Sequence, residues 1–328
     1  MDIKKSNEWS VSLRPKNFNQ MVGQEANRKI LTQWVETNTL PSTLIFFGRS
    51  GSGKTTSARI LPLLMNAELV ELDAASNNSV DDARSICNLA SKLALSGKHK
   101  IFLIDEAHML SMAAWNALLK TIEEPNPMTH FILCTTEYTK LPLTIRGRSR
   151  MLKFYSITDE LLREYAEAVL EHKGYTLPED VLSLIISQSS GQVRDLLKLL
   201  QTAAEGGLNT VEALKKFLAI PDETGMRNFI NAVLSNKPKP GITVLKEIKT
   251  DLLEWVRALQ KHIYQLLEDK YGITPLLIPG NATAHKKIKE LEDKFSDAQW
   301  GALLTALNGI THNETAYAKL YALLFVGV

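Results

Sequence analysis

The sequence predicts an α/β fold in which a parallel sheet is followed by two regions built of helices alone. Three observations carry that prediction. Short apolar runs in the first half, "STLIFFG", "KIFLIDE" and "THFILCTTE", lack helical periodicity and end in glycine or polar residues, as strands buried on both faces do. Helically spaced segments separate them, the alternation that builds a layered parallel sheet. After Tyr155 no further run reads as a strand. The expected division is a sheet domain at 1–155, a helical domain at 156–219 and a second helical domain at 220–328.

From Ser42, "STLIFFGRSGSGKTTSARILPLLM" passes from strand to glycine-rich turn to helix. The stretch "SMAAWNALLKTIEE" puts Ala114, Trp115, Leu118, Leu119 and Ile122 on one helical face. A helix capped by Ser156 or Thr158, with acids early, runs to about Gly174. Two more follow in "LPEDVLSLIISQSS" and "GQVRDLLKLLQTAAEGG", the second closed by Gly206 and Gly207. Helical spacing resumes near Pro221 and is plainest at Leu252, Trp255, Val256, Leu259, Ile263, Leu266 and Leu267. The tail "ETAYAKLYALLFVGV" needs burial against other helices or a partner chain, and "NKPKPG" at 236–241 is the most linker-like run.

Composition bounds the function. The 328 residues carry 38 basic and 36 acidic side chains, a formal net charge of +2, so no global basic field marks a nucleic-acid binder and any such contact must come from local patches. Residues 1–150 hold 18 basic against 14 acidic side chains, a mild basic skew. Cys87 and Cys134 lie far apart in apolar surroundings, which argues against a disulfide framework or a zinc cluster and for free thiols in a reducing compartment. The N-terminus lacks the apolar core of a signal peptide, and no apolar run approaches about 20 residues. A cytoplasmic protein without a membrane partner is expected.

The chemistry concentrates after the first strand. "GRSGSGKT", Gly48–Thr55, has the spacing G-x-x-x-x-G-K-[ST] between a strand and a helix. Gly48, Ser50, Gly51, Ser52 and Gly53, with Thr56 just beyond, would turn backbone N–H groups toward the phosphates of ATP; Lys54 would reach its β and γ phosphates, and the Thr55 hydroxyl would ligate Mg²⁺. "IFLIDE" ends in Asp105, placed to hold the Mg²⁺, and Glu106, placed to orient and deprotonate a water. Thr136, at the end of "FILCTTE", either helps to place that water or is β-branched strand filler. Further on, "RGRSR" packs Arg146, Arg148 and Arg150 into five residues. Like charges so close call for an anion nearby, and the residues alone leave open whose it is.

These motifs, in order, resemble the clamp-loader ATPases of the AAA+ class: the small subunits of replication factor C, the bacterial gamma/tau subunit and the phage clamp-loader ATPase subunit. The resemblance covers about residues 9–218 and is carried by "LRPKNFNQMVGQ", the glycine-rich turn, "LDAASNNSVDDAR", "DEAHML", "WNALLKTIEEP", "CTTEYTKLP", "GRS" at 147–149 and "GQVRDLLKLLQ". It implies an AAA+ nucleotide-binding domain, a helical lid and an all-α oligomerisation collar. The family's Ser-Arg-Cys signature aligns with Gly147, Arg148 and Ser149, where only the arginine is kept; Arg148 would then point at ATP held by a neighbouring subunit. Arg146 and Arg150 match no family role and are expected to be solvated or to face DNA. Arg194 would be the lid arginine that reaches this chain's own phosphates, and Leu13, Arg14 and Val22 would border the adenine.

For DNA, the resemblance implies contacts to a phosphate strand at the helix starts near "NNSVDDAR" and "SMAAWN", with Arg84, Asn78, Ser79 and Ser111 as candidates; the plainer reading is that Arg84 pairs with Asp81 across a helical turn. The implied partners are a sliding clamp, primer–template DNA, copies of the same chain and a companion subunit in a pentamer-like ring. Nothing matches the four-cysteine zinc module of the gamma/tau type, a point of likeness to replication factor C. The chain stops at Val328, and the expectation is that no helicase- or polymerase-binding extension follows. The phrase "NGITHNETAYAKLYALLF" reads as a phage-type collar. The "DEAH" run raises a rival, an AAA+ DNA motor of the branch-migration or helicase-like kind; a second rival is a non-catalytic scaffold subunit, which intact Lys54, Thr55, Asp105 and Glu106 oppose.

Overall fold

The computed structural model describes residues 8–92, 99–220, 223–248, 251–271 and 294–326. Two compact units divide it, at residues 1–211 and 212–328.

The first unit opens with the short helix α1 (Trp9–Ser12) and the helix α2 (Glu25–Glu36). Strand β1 (Thr43–Gly48) then leads through the glycine-rich turn into α3 (Lys54–Met65). Alternation continues with β2 (Glu68–Asp73), α4 (Val80–Ala90), β3 (Lys100–Asp105), α5 (Met112–Glu123), β4 (Thr129–Thr135), α6 (Leu143–Arg148) and β5 (Arg150–Phe154). The five strands form one sheet in the order β2-β3-β4-β1-β5, with every neighbouring pair parallel.

Period-two alternation divides the strand side chains between two cores. Ile45, Phe102, Ile104, Phe131 and Leu133 face α4, α5 and α6, where Trp115, Leu118 and Ile145 meet them. Leu44, Phe46, Ile101, Leu103, Ile132 and Cys134 face the other way, toward Leu31 of α2 and Ile60 and Leu61 of α3. The three central strands are those read from the sequence. The edge strands β2 and β5 are not, because burial alternates along β2 and only Leu152 and Phe154 of β5 are buried.

Three helices complete this unit: α7 (Asp159–Lys173), α8 (Glu179–Ser189) and α9 (Val193–Glu205). Of the two proposed caps for α7, Thr158 takes the position and accepts from Leu161 N–H; Gly174, at φ +73°, closes the helix. The second unit contains most of α10 (Val211–Phe217), then α11 (Glu223–Leu234), α12 (Pro238–Glu247), α13 (Leu252–Lys270), α14 (Asp297–Asn308) and α15 (Asn313–Val326) around a core that includes Phe229, Trp255, Leu259, Ile263, Trp300 and Leu320. The resumption of helical spacing at Pro221 itself lies outside the described residues. The tail's apolar residues Ala316, Leu320 and Leu324 are buried in this core, while Tyr317 and Phe325 stay exposed. The linker-like run at 236–241 opens α12 instead: Pro238 stands in its first turn, where a missing N–H costs nothing.

Candidate nucleotide site

The carboxyl ends of parallel strands are where a sheet of this kind presents ligand-binding groups. Here β1 delivers the glycine-rich turn and β3 delivers Asp105 to the same edge. Gly51 and Gly53 take φ +69° and +100°, conformations that side chains disfavour, and so coil the backbone ahead of α3. The cavity beside them is lined by Ser50, Gly51, Ser52, Gly53, Lys54, Thr55 and Thr56, by Asp105 and Glu106, by Leu13, Arg14 and Val22 from the N-terminal segment, and by Arg194. All of these were expected at one site, and they stand around one space. Gly48, Thr136 and Arg148 are not among its walls.

Lys54 is nearly buried, at 5% exposure, and its Nζ donates to the carbonyls of Gly48 and Arg49 at 3.0 and 2.9 Å. Burial pulls its pKa below the ordinary lysine value; Cys134, then Glu106 and Asp105, oppose the shift, and Arg194 adds to it. The Thr55 hydroxyl donates to both oxygens of Asp105 at 3.1 and 3.0 Å. A hydroxyl and a carboxylate held together are hard oxygen donors that suit Mg²⁺, which takes few protein ligands and completes its shell with phosphate and water. Among the described residues no group of three or more His, Cys, Asp or Glu side chains forms a metal cluster. Glu106 sits at φ +47°, and its Oε2 is buried without a hydrogen-bond partner.

Cations dominate the rest of the cavity. The Arg14 pKa is lowered by burial and then by repulsion from Arg59 and Arg194. Three basic side chains, Lys54, Arg14 and Arg194, thus converge where only an anion relieves their repulsion, and a polyphosphate fits. Several lining residues were not singled out in the sequence, among them Tyr165, Leu197, Met21 and Gln20. Tyr165 and Leu197 belong to helices whose apolar faces read simply as core. Gln192, with its amide turned to satisfy both neighbours, donates to the Ser50 carbonyl at 2.9 Å and to Asp195 at 3.2 Å, which fastens the start of α9 to the glycine-rich turn.

The remaining candidates lie elsewhere on this unit. Thr136 is exposed just beyond β4; its neighbour Thr135 is buried, within 3.0 Å of His108 Nδ1. Arg148, half exposed at the end of α6, reaches Glu123 at 3.4 Å and donates to the Thr144 carbonyl. Arg146 departs from the expected solvated or DNA-facing charge: its Nε is buried without a partner and its guanidinium lies 5.1 Å over the Tyr138 ring. Arg150 is exposed on the edge strand. The two helix starts read as phosphate contacts are adjacent, since Ser111 N–H donates to the Asn78 carbonyl at 3.3 Å. Ser79 and Ser111 each cap a helix with their hydroxyls, and Arg84 pairs with Asp81 at 3.2 Å with both side chains well exposed.

Comparison with known proteins agrees with this architecture. A family model described as DNA polymerase III, delta subunit, matches residues 64–158. The gamma/tau subunit of DNA polymerase III from Mycoplasma genitalium is 32% identical over 290 residues, covering 80% of this chain and 48% of that protein. The tau subunit from Bacillus subtilis is 35% identical over 214 residues, covering 58% of this chain and 38% of that protein, and the gamma subunit from Buchnera aphidicola is 28% identical over 315 residues, covering 86% and 87%. The chain thus spans about half the length of the first of these relatives. Among solved structures, the Thermotoga maritima RuvB Holliday junction branch migration motor superposes with a TM-score of 0.54 at 20% identity over 84% of this chain and 98% of that one, a likeness of fold. Sheet order, glycine-rich turn and relatives agree: the chain belongs to the AAA+ clamp-loader family.

Proposed function

We propose that the chain is an ATPase subunit of a sliding-clamp loader, which uses ATP binding and hydrolysis to open a clamp and leave it at primer–template junctions. One observation carries the reading: Lys54, the Thr55–Asp105 pair, Glu106, whose Oε2 accepts no hydrogen bond, Arg14 and Arg194 share one cavity, while Arg148 stands outside it. Lys54 and Arg194 bind the triphosphate, and Arg14, expected beside the adenine, adds its charge to the same cavity. Thr55 and Asp105 hold Mg²⁺, which supplies charge neutralisation on the phosphate oxygens. Glu106 accepts the proton of the attacking water. Arg148 serves the cavity of a neighbouring copy, so the isolated chain hydrolyses ATP slowly, and stimulation by DNA requires the assembled ring. Asn78, Ser79, Ser111 and Arg84 track a phosphate strand without reading sequence, and the second helical unit serves as the collar. The gamma/tau names of the relatives support this reading over the DNA-motor alternative, which rests on the DEAH run and on RuvB's likeness of fold.

The test is steady-state ATPase of the assembly reconstituted with clamp, companion subunit and primed DNA. Arg148→Ala should bind ATP normally yet lose stimulated turnover by about 10³-fold or more, as trans arginine fingers do. Doped into wild-type protein, it should poison activity out of proportion to its amount. Wild-type behaviour of Arg148→Ala would end the trans-finger assignment. DNA-stimulated turnover that depends on Lys54 but loads no clamp would favour the motor.

A further inference from the structure

We propose that Gln192 is a positioning residue of the nucleotide site, whose side-chain amide turns the Gly51 N–H toward the phosphates and places Arg194 to meet them. The inference rests on the nucleotide-site reading above. Gln192 is the N-cap residue of α9, and one end of its amide lies 2.9 Å from the Ser50 carbonyl oxygen and 3.2 Å from Asp195 Oδ2. A carbonyl and a carboxylate only accept, so the atom between them is the amide nitrogen, which donates to both. The rest of the side chain lies over Gly51: a Cβ built on that glycine would stand 3.0 Å from Gln192 Cβ and 3.3 Å from its Cγ.

The Ser50–Gly51 peptide is trans, so its C=O and N–H point in opposite directions. A donor that holds the Ser50 carbonyl therefore fixes the line of the Gly51 N–H and points it away from Gln192. Ser50 and Gly51 line the cavity and Gln192 does not, so that N–H is turned to the side where the phosphates are expected. Gln24 treats the next peptide but one alike. Its Nε2 donates to the Ser52 carbonyl at 3.2 Å and to the Tyr155 carbonyl at 2.6 Å, which sends the Gly53 N–H the opposite way. A glycine-rich turn is free to scatter its N–H groups, and two amides bound to its outward carbonyls gather them before the ligand arrives.

The two braces differ in what they are attached to. Gln24 stands just ahead of α2, whereas Gln192 opens the helix that carries Arg194 two residues on. That helix start is held by its backbone as well: Ile157 N–H donates to the Gly191 carbonyl at 3.0 Å, and a Cβ at Gly191 would stand 2.7 Å from Ser156 Cβ. With the Gly191 backbone and the Gln192 amide both fixed, the first turn of α9 begins from a set place and Arg194 enters the cavity wall. One side chain thus positions two phosphate donors, a backbone N–H of the turn and a guanidinium of the lid.

Gln192→Met keeps the length of the side chain and its packing over Gly51 and removes the donor. In the full chain with Mg²⁺, it should weaken binding of a fluorescent ATP analogue by about 3- to 10-fold, the worth of one neutral hydrogen bond. Adenosine, which carries no phosphate, should displace the analogue with its wild-type inhibition constant, a selectivity that general damage to the cavity does not produce. Arg194→Ala should cost less affinity in the Gln192→Met background than in the wild type. Wild-type affinity in Gln192→Met, an equal loss for adenosine, or strict additivity with Arg194→Ala would overturn the inference. Lys54→Ala separates the two levels of failure. If it binds the analogue as well as wild type, the nucleotide-site reading falls and this inference with it; if it loses binding while Gln192→Met does not, only the role of Gln192 is wrong.

Discussion

Gly48 is the first glycine of the G-x-x-x-x-G-K-[ST] spacing, yet it does not line the cavity. It takes φ +150°, and a Cβ built there would stand 2.1 Å from the Phe154 carbonyl oxygen on β5. The residue is therefore needed where two strands approach, and its carbonyl then receives Lys54. Gly48→Ala combines backbone strain with a clash against backbone that cannot rotate aside, so it should cost about 3 kcal/mol or more. Urea unfolding of the first unit checks this, and an unchanged midpoint would refute it. At this scale the sequence read well whatever lies close along the chain: Lys54, Thr55, Asp105 and Glu106 follow from local spacing and strand ends. It could not disclose groups brought together from far apart. Phe154 against Gly48 and Glu137 against His108 depend on strand order, which one chain's spacing does not reveal.

At the scale of elements, the error with the clearest physics is the run "NKPKPG". Proline and glycine ordinarily punctuate chains, and the run reads as a linker for that reason. Pro238 instead opens α12, and Gly241 lies inside it because Leu324 of α15 packs against that position: a Cβ would meet Leu324 Cδ2 at 2.2 Å and Ala232 Cβ at 3.2 Å. Two effects compete in Gly241→Ala. The substitution gains up to about 1 kcal/mol of helix propensity, but Leu324 is fully buried and cannot swing away, so overpacking of about 1–3 kcal/mol wins. Thermal unfolding of the second unit should shift down. Adding Leu324→Ala should cost less in the Gly241→Ala background than in the wild type, and strict additivity would disprove the contact. The edge strands escaped the sequence for a related reason. β2 and β5 have one neighbour each and only partial burial, so neither presents the continuous apolar run that betrayed β1, β3 and β4.

The molecule as a whole consists of two compact units, and each buries a histidine that makes it sensitive to acid. In the first, His130 Nδ1 lies 3.0 Å from the Pro41 carbonyl, to which it donates, so its Nε2 accepts from His99 Nδ1 at 2.8 Å. Burial lowers the His130 pKa, outweighing the Pro41 carbonyl, and His99 lowers it further; a proton added at Nε2 would face the His99 N–H, donor against donor. In the second unit, His262 is buried with its Nε2 unpartnered, and burial again lowers its pKa against the pull of Glu223. A base with a depressed native pKa binds fewer protons folded than unfolded. As pH falls below the ordinary histidine value of 6.5, the unfolded chain takes up protons that the native state refuses, and stability declines until the native pKa is reached. Each histidine contributes a slope of at most about 1.4 kcal/mol per pH unit in that window. Denaturant unfolding between pH 7 and 5 should show both units weakening, with His130→Gln flattening only the first unit's dependence and His262→Gln only the second's. A flattening of both by either substitution would mean that the units unfold as one cooperative body, and wild-type slopes in both variants would place the acid sensitivity on other groups.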